Sequence, residues 1–511
     1  MVYKVSSGRV GGVFADLITV EVDASPGMPG LEMIGLLANE VKEAKDRVRV
    51  SLKNNGINLP SMKITVNLSP ADEHKSGAIY DLPIAVAILG VFGHIPDFDP
   101  TETLFLGELS LDGEIRPVRG VLPIVRMAME NGFKKVILPF DNAKEGAMIR
   151  NIDIIPMKDL STLMVYLEMD EESRKIVFPP FVGNYNFETP VNRPDFMDVL
   201  GQEAAKRAAL ISAAGFHHLL LTGPPGTGKS LIAKRIPGIM PKLTYEESLE
   251  VTTIYSIVGK LDENTPFISE RPFQSPHHGT SPQALTGGGT NAMPGLISMS
   301  HKGILFLDEF PEFKKQTIDF LRQPMEDGEI TVSRAKKTVK YPANFMLVAA
   351  MNPCPCGYYP DRNRCTCTAP QISGYLSRIS GPIMDRIDIC IEVSRIDSGE
   401  LRKKNKKGLS SKEMRSIVEK AVKKQEERYS KEKFNFNSQV PASLIDKYIP
   451  LGTEETEFMN SAYTKMQLSM RSYMKILRVA RTIADVDESE KVEIKHLAES
   501  LCYRFPDYMG G

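Results

Sequence analysis

The sequence predicts an α/β fold for most of this chain, followed by a helical section at its C-terminal end. Strand-like and helix-like segments alternate through the first 170 residues, as in an α/β domain. A second α/β region begins where the apolar run 219–221 leads into a glycine-rich loop and then a helix. From Asp397 onward the chain is charged and has helical patterning. These observations predict two α/β domains and a helical domain after them.

Several segments of the first domain have clear periodicity or are bounded by turn residues. A turn at Asp112-Gly113 follows one strand, and Gly132 ends one helix. The predicted strands are Val13–Val22, Lys63–Leu68, Leu104–Leu111 and Lys135–Pro139, and the predicted helices are Leu36–Asn54 and Val121–Asn131.

The length of the chain, 511 residues, is too great for a single hydrophobic core, and about three domains are expected. Several prolines and few helix signals mark residues 171–195 as a linker. The expected domains are therefore residues 1–170, 196–396 and 397–511.

The composition limits the partners and the compartment. A net charge of −1 gives no global attraction to nucleic acid, so any basic surface must be local. No apolar block typical of a secretory signal follows Met1, and the longest apolar run, Leu82–Phe92, is about half a membrane span. We therefore expect a cytoplasmic protein without membrane contact.

The loop after residues 219–221 matches the G-x-x-x-x-G-K-[ST] pattern of phosphate-binding loops. Its glycines let backbone N–H groups turn toward phosphate oxygens, and the N-terminus of the next helix adds partial positive charge. Lys229 is expected to reach the β- and γ-phosphates of ATP, and Ser230 to bind Mg²⁺. The residues expected to hold the nucleotide are Gly223, Pro224, Pro225, Gly226, Thr227, Gly228, Lys229 and Ser230.

A second buried-strand pattern, residues 303–307, ends in Asp308 and Glu309. With a phosphate-binding loop upstream, the first acid is expected to hold Mg²⁺ and the second to polarise the attacking water. Asn352 follows a further apolar run and has two interpretations. Its amide either orients the lytic water or caps a loop.

Three arginines have the chemistry that phosphoryl transfer requires. Arg386 lies between Asp385 and Asp388, and its planar guanidinium suits a phosphoryl transition state when a neighbouring subunit delivers it. The alternative is that Arg386 only pairs with one of these acids, and Arg378 is a second candidate for the same role. Arg471 lies in the first turn of a predicted helix, an unfavourable place for a cation unless it faces nucleotide.

Four of the six cysteines form two C-x-C pairs separated by a short loop. Such a set can close around a tetrahedral Zn²⁺ ion, although reduced free thiols and disulfides are alternatives. The candidate ligands are Cys354, Cys356, Cys365 and Cys367. Cys390 and Cys502 are expected to be ordinary core residues.

Together these motifs resemble the magnesium-chelatase-like AAA+ ATPases and, within them, the YifB/ComM group. The resemblance covers nearly the whole chain. Beyond the phosphate-binding loop it is carried by residues 271–278, 303–310, 351–357 and 377–388.

This resemblance implies a P-loop AAA+ core with a helical lid, assembled as a ring, usually a hexamer, with ATP between subunits. By motif it assigns Asn352 as the sensor-1 residue, Arg386 as the finger that acts in trans and Arg471 as the sensor-2 arginine. It also implies a β-hairpin that projects into the ring pore.

The hairpin falls at residues 329–341, where strand alternation surrounds a basic tip. Four basic side chains and one acid give this segment a local positive charge that suits phosphate contacts. The alternative is a solvated hairpin whose lysines protect a strand edge. The candidate DNA-binding residues are Arg334, Lys336, Lys337 and Lys340.

The insert 274–295 resembles a second loop that faces the pore. It contains His277 and His278, which we assign to the fold of that loop or to substrate contact. Metal ligation by the two histidines is the alternative.

The N-terminal region is similar to the Lon-protease-like (ribosomal S5 domain 2-like) domain, through residues 107–120. Proteolysis of that type needs a serine and a lysine base. The corresponding positions fall near Ile79 and Leu122, and neither residue can do the chemistry. The domain is therefore predicted to be structural or to bind substrate.

The sequence thus favours an ATP-driven ring motor on single-stranded or branched DNA, a helicase or branch-migration enzyme in recombination or transformation. The alternative is an ATPase that remodels proteins or inserts a metal, as magnesium chelatase motors do. The chain carries no metal-binding adhesion-type domain, and its extra Lon-like domain argues against chelation.

Overall fold

The computed structural model describes residues 2–95, 98–183, 193–262, 267–289, 292–334, 337–395 and 408–504, without the side chains of Arg334 and Lys337. The chain divides into two compact units. The first consists of Met1–Glu188 and Tyr245–Ile268, and the second of Thr189–Thr244 and Ser269–Gly511.

The first unit is built on a mixed seven-stranded sheet with the order β3-β4-β2-β1-β5-β8-β9. Strand β2 runs antiparallel to both β1 and β4, and the remaining neighbours are parallel. A two-stranded ribbon, β6 with β7, lies outside this sheet. The strands are β1 (Tyr3–Gly11), β2 (Phe14–Ser25), β3 (Gly30–Ile34), β4 (Lys63–Ser69), β5 (Thr103–Phe105), β6 (Glu108–Leu109), β7 (Ile115–Arg116), β8 (Lys135–Pro139) and β9 (Asp153–Met157).

Helices cover this sheet and close its hydrophobic core, in which Ile79 and Leu122 are buried. Helix Asp81–Val91 is apolar on all sides and is buried along most of its length, so it lies in the middle of the core. The helices are Asn39–Lys42, Ala44–Asn54, Asp81–Val91, Val121–Glu130, Ala143–Gly146, Leu160–Glu168, Glu171–Val177 and Tyr245–Val258, with a 3₁₀ turn at Phe140–Asn142.

Most predicted elements of this unit are present, with three differences. The expected helix 36–54 is two helices, Asn39–Lys42 and Ala44–Asn54. The expected strand 104–111 stops at Phe105 because Gly107, at φ 159°, turns the chain into the β6–β7 ribbon. The segment predicted as a linker begins with helix Glu171–Val177, whose first turn is capped by the Asp170 carboxylate.

The second unit contains a parallel five-stranded sheet with the order β11-β14-β17-β10-β18. Counted in chain order within this sheet, the arrangement is 5-1-4-3-2. The strands are β10 (Leu219–Thr222), β11 (Phe273–Gln274), β14 (Ile304–Leu307), β17 (Met346–Met351) and β18 (Ile389–Glu392). Parallel strands place their carboxyl ends at one edge, so the residues after β10, β14 and β17 meet there.

Helices pack on this sheet and form the C-terminal section. They confirm the expected α/β core followed by a helical part. A buried polar network joins the two: His217 and Asn437 both bond the Thr482 hydroxyl, and Asn437 also bonds Asp485. The helices are Glu203–Gly215, Lys229–Ala233, Ile236–Ile239, Pro282–Thr286, Leu296–Met299, Lys315–Asp319, Arg322–Asp327, Ala369–Leu376, Gly381–Met384, Ser411–Arg428, Ile445–Tyr448, Thr453–Lys465, Met470–Val486 and Ile494–Cys502; 3₁₀ turns occur at Phe196–Asp198, Phe310–Glu312, Asn437–Gln439 and Ala442–Leu444.

Two antiparallel hairpins extend the second unit. One pairs β15 (Glu329–Arg334) with β16 (Lys337–Pro342), where the sequence predicts a hairpin. The other pairs β12 (Gly287–Gly288) with β13 (Met293–Pro294) inside the insert 274–295. The two are joined where the Tyr341 hydroxyl donates to the Ala292 carbonyl at 2.9 Å. Among the described residues, no helix combines the length and apolarity that a membrane span requires.

Candidate active site

The phosphate-binding loop connects β10 to helix Lys229–Ala233, as the sequence predicts. Gly223, Gly226 and Gly228 have φ values of 155°, 77° and 94°, a region that strains other residues. A Cβ on Gly223 would also lie 2.3 Å from the Val393 carbonyl oxygen on the neighbouring chain segment. The loop therefore requires glycine for both its backbone shape and its packing.

Lys229 is buried at the centre of this site, with 8% of its surface exposed. Its Nζ donates to the carbonyls of Gly223 at 2.7 Å and Pro224 at 2.8 Å, and to Asn352 Oδ1 at 3.1 Å. Burial lowers the pKa of Lys229 to about 8, against the opposing effect of the Asp308 charge. A phosphate group beside this amine would favour its charged form, so the site suits an anionic ligand.

Ser230 and Asp308 meet at the edge of the sheet. Ser230 Oγ donates to Asp308 Oδ2 at 2.7 Å, which places a hydroxyl and a carboxylate oxygen side by side. Mg²⁺ prefers such hard oxygen ligands and is usually held by one or two carboxylates together with phosphates. These two residues therefore fit the Mg²⁺ role that the sequence predicts for them.

Glu309 follows in a left-handed conformation with φ 51°. Its N–H donates to Asp308 Oδ1 at 3.0 Å, and its Oε2 lies 3.3 Å from Nδ1 of His278. Both side chains are accessible, at 60% for the glutamate and 39% for the histidine. Glu309 therefore contacts the insert 274–295 through His278.

The sequence does not predict the contact of His278 with Glu309, because its pattern assigns both histidines to the loop fold or to substrate contact. His277 does have a local role, because its Nδ1 accepts the Gly279 N–H at 3.1 Å. No spacing rule links His278 to Glu309, which lies on another element of the unit. Only the tertiary structure reveals that contact.

Asn352 directly follows β17 and lies beside Lys229, as the bond between Lys229 Nζ and its side-chain oxygen shows. This contact brings the predicted sensor-1 residue into the same group as Lys229. Lys229, Ser230, Asp308, Glu309 and Asn352 thus form one group at the carboxyl end of the sheet.

Two of the predicted arginines, Arg386 and Arg471, lie near Glu326. Arg386 is buried and pairs with the Glu326 carboxylate, and it also donates to the Pro382 carbonyl at 2.7 Å. The bond from Arg386 lowers the pKa of Glu326, and the charges of Arg386, Arg471 and Arg322 lower it further.

Neither acid that the sequence offers as the partner of Arg386 is its ion-pair partner here. Arg378 is more accessible, with 49% of its side chain exposed, and pairs with Glu312 at 2.9 Å. Arg471 is exposed in the first turn of helix Met470–Val486.

The four predicted zinc ligands come together after β17. The sulfur atoms of Cys354, Cys356, Cys365 and Cys367 all lie within 4.8 Å of one another, and all four thiols are free. Cys390 is buried as expected, but the prediction that Cys502 is a core residue is wrong. Cys502 is exposed in the last turn of the C-terminal helix.

The hairpin β15–β16 carries the candidate DNA-binding residues. Its apolar side chains are buried, whereas Lys340 is exposed and pairs with Glu329 at 3.1 Å. Arg334 and Lys337 occupy paired backbone positions next to the tip, and Lys336 lies outside the described residues. The buried side chains are Ile330, Val332, Val339 and Tyr341.

Comparisons with known proteins cover nearly the whole chain. Family models described as magnesium chelatase subunit ChlI match residues 195–401 and 20–142, and the model of the ChlI C-terminal region matches residues 408–504. The protein YifB of Salmonella typhimurium is 40% identical over 97% of this chain and 96% of its own length.

Competence protein ComM of Haemophilus influenzae is also 40% identical, over 96% of this chain and 95% of its own length. The magnesium-chelatase 38 kDa subunit of Cereibacter sphaeroides is 26% identical over 31% of this chain and 52% of its own length. Full-length similarity is thus to YifB and ComM, as the motifs predict. The chain belongs to the YifB/ComM group of the magnesium-chelatase-like AAA+ family.

Proposed function

We propose that this protein is an ATP-hydrolysing ring motor that acts on DNA, as a helicase or branch-migration enzyme in recombination or transformation. Membership of an AAA+ family implies ATP and Mg²⁺ as its cofactors. One relative that matches nearly the whole chain is named competence protein ComM, and this name supports a competence-related role.

The first group of side chains supplies the chemistry of ATP hydrolysis. Lys229 binds the β- and γ-phosphates, and Ser230 with Asp308 would hold Mg²⁺, which supplies charge neutralisation between the phosphates when bound. Glu309 takes a proton from the attacking water, and Asn352, at the carboxyl end of the neighbouring strand, orients that water. The desolvation of Lys229 strengthens each electrostatic contact in this site.

A second group, Arg386 and Arg471, supplies the part of the site that a neighbouring subunit completes. The charges of Arg386 and Arg471 both lower the pKa of Glu326, and this proximity supports a shared role for them at the subunit interface of a ring. Arg386 must leave Glu326 to reach a phosphate, whereas the accessible Arg378 requires no such rearrangement. Both arginines are therefore candidates for the finger in trans, and a hexamer is the expected ring.

The hairpin β15–β16 is the feature that best supports DNA as the substrate. Its apolar side chains are buried in the protein, so the two paired strands that lead to the predicted basic tip are held in place. Lysine and arginine at such a tip favour the phosphate backbone of a nucleic acid over most protein surfaces. The hairpin β12–β13 is bonded to it and would move with it.

Protein remodelling or metal insertion is the second candidate function. The partial similarity to a protein named as the 38 kDa subunit of magnesium chelatase favours metal insertion. The similarity covers less than a third of this chain, whereas ComM matches nearly all of it.

The deciding experiment measures steady-state ATP hydrolysis with no addition, with single-stranded, duplex or four-way-branched DNA, and with an unfolded protein. We expect stimulation by single-stranded or branched DNA. Lys229→Ala should abolish turnover, and Glu309→Gln should bind ATP without hydrolysing it. Stimulation by unfolded protein alone would replace the DNA proposal with remodelling, and turnover by the Lys229→Ala variant would refute the site assignment.

A further inference from the structure

The four-cysteine cluster has the dimensions of a metal site. The sulfur of Cys354 lies 3.3 Å from that of Cys356 and 3.8 Å from that of Cys365, and the last two are 3.6 Å apart. A disulfide needs sulfurs about 2.05 Å apart. A tetrahedral ion with Zn–S bonds of about 2.3 Å separates its sulfurs by about 3.8 Å.

The backbone around Cys354 is arranged to hold a thiolate. The N–H groups of Gly357 and Tyr359 donate to its Sγ at 3.2 Å and 3.4 Å, and the residue is fully buried. Gly357 has φ 85°, which a glycine adopts without strain. A cysteine binds a metal ion as the deprotonated thiolate. N–H groups that donate to the sulfur stabilise this thiolate.

The cluster is attached directly to the ATP site. Cys354 follows Asn352 by two residues, and Asn352 accepts the bond from Lys229 Nζ at 3.1 Å. A Cβ on Gly357 would lie 2.5 Å from the Pro225 ring and 3.7 Å from Asn352 Cγ. The backbone of the cysteine loop therefore packs on both the phosphate-binding loop and the predicted sensor-1 residue.

We propose that Cys354, Cys356, Cys365 and Cys367 bind one Zn²⁺ ion as a tetrathiolate, and that this ion positions Asn352 and Pro225 for ATP turnover. Binding converts four thiols to thiolates and releases their protons, with no change of oxidation state. The positioning role rests on the proposed ATPase function, whereas the metal site does not. Iron takes the same four-sulfur geometry, so the metal must be identified as well as counted.

The metal site is tested by elemental analysis of the full chain purified under reducing conditions without chelator. We expect about one zinc per chain, and loss of that zinc in the double variant Cys365→Ser/Cys367→Ser. Cys502→Ser removes an exposed thiol outside the cluster and is the matched control, which should keep its zinc. Iron in place of zinc, no metal after incubation with zinc, or a disulfide by mass spectrometry would each overturn the assignment.

The positioning role is tested on zinc-stripped and reloaded wild-type protein, so that folding of a variant is not in question. Stripping should lower kcat about tenfold or more with a smaller change in nucleotide affinity, and reloading should restore it. In protein loaded with Co²⁺, the visible bands of the cobalt–thiolate centre should shift when a non-hydrolysable ATP analogue binds. The positioning role would be refuted if removal of zinc left kcat unchanged. It would also be refuted if the cobalt bands did not shift when the nucleotide analogue binds. A protein that binds zinc but never hydrolyses ATP would refute only the proposed function.

Discussion

His278 shows how much of the active site depends on single contacts between distant parts of the chain. Its imidazole lies 3.3 Å from the Glu309 carboxylate, which is the predicted general base. We expect His278→Ala to lower kcat about tenfold, part of what a general base contributes, because the carboxylate loses the partner that orients it. Nucleotide affinity should stay within about twofold of the wild type, because the ion pair of His278 is with Glu309 and not with a phosphate-binding residue. Steady-state kinetics together with binding of a fluorescent nucleotide measure both quantities.

The adjacent histidine provides the control for this prediction. His277 bonds the backbone of its own loop through the Gly279 N–H and has no role at Glu309 in our assignment. Its ring also lies 4.0 Å from the His278 ring, so His277→Ala should lower kcat by less than His278→Ala does. Equal losses in both variants would mean that the insert as a whole, rather than the contact with Glu309, determines the rate.

We expect the protonation of Asp388 to lower the stability of the fold at acidic pH. Burial raises its pKa, but His217, whose Nδ1 lies 3.4 Å from the carboxylate, and the charges of His218 and Lys475 outweigh burial and lower it to about 2 from an ordinary 3.8. A lowered pKa stabilises the fold above pH 3.8, and this contribution is lost as the pH falls toward 2.

The corresponding experiment compares urea unfolding midpoints of wild type and Asp388→Asn between pH 2 and pH 5. Wild-type stability should fall more steeply with acid than that of the variant. Asp446→Asn, at an exposed aspartate, is the control and should follow the wild-type slope. Parallel curves for wild type and Asp388→Asn would show that the titration of this buried acid does not limit stability.

The residues that the sequence predicts well are those whose function depends on local spacing. Lys229, Ser230 and Asp308 could be identified because loop, strand and acid follow each other in a fixed order. The partners of Arg386 and Glu309 could not, because Glu326 and His278 come from other elements and no local pattern encodes the pairing. Local sequence rules describe neighbours along the chain, whereas these ion pairs are set by tertiary packing.

At the scale of elements, the hairpin β15–β16 is the part of the molecule on which the DNA proposal depends. We expect Lys336→Ala/Lys337→Ala to weaken binding of single-stranded DNA. The slope of log affinity against log salt should become shallower by about 1.4, since each lost phosphate contact removes about 0.7. Fluorescence anisotropy at several salt concentrations measures this slope.

A matched pair of lysines is available for comparison. Lys423 and Lys424 are adjacent on helix Ser411–Arg428, and neither is buried. Their double alanine variant removes the same charge and should leave the slope unchanged. An equal effect of the two double variants would indicate a general charge effect, and no effect of either would contradict DNA contact by the hairpin.

Elements were predictable where one signal dominates. Strand Lys135–Pro139 matches its predicted bounds because an apolar run ends at proline. The strand predicted at 104–111 is broken because Gly107 redirects the chain, and an isolated glycine inside an apolar run does not reveal such a turn from sequence. Helix Glu171–Val177 was missed because nearby prolines outweighed the capping signal of Asp170.

At the scale of the whole molecule, the division into units does not follow chain order. Helix Tyr245–Val258 lies after the phosphate-binding loop in sequence, yet it belongs to the first unit. There Ser256 donates to the buried Glu145 carboxylate, and its carbonyl accepts the Gly120 N–H at 3.3 Å. Composition gave no sign of this insertion, because a helix that covers one core has the same apolar pattern as a helix that covers another.

The proposed ring makes a prediction about mixed assemblies that no single variant can test. Lys229→Ala removes the phosphate-binding amine, and Arg386→Ala removes the finger, so each variant alone should be inactive. If the finger acts in trans, an Arg386→Ala subunit beside a Lys229→Ala subunit forms one intact site. In an equal mixture about one quarter of the interfaces are of this kind, so about a quarter of wild-type ATP hydrolysis should return. If both residues serve the same subunit, mixing restores nothing.

The same mixture with Arg378→Ala in place of Arg386→Ala distinguishes the two candidate fingers. Only the variant that lacks the true finger should be inactive alone and regain ATP hydrolysis on mixing.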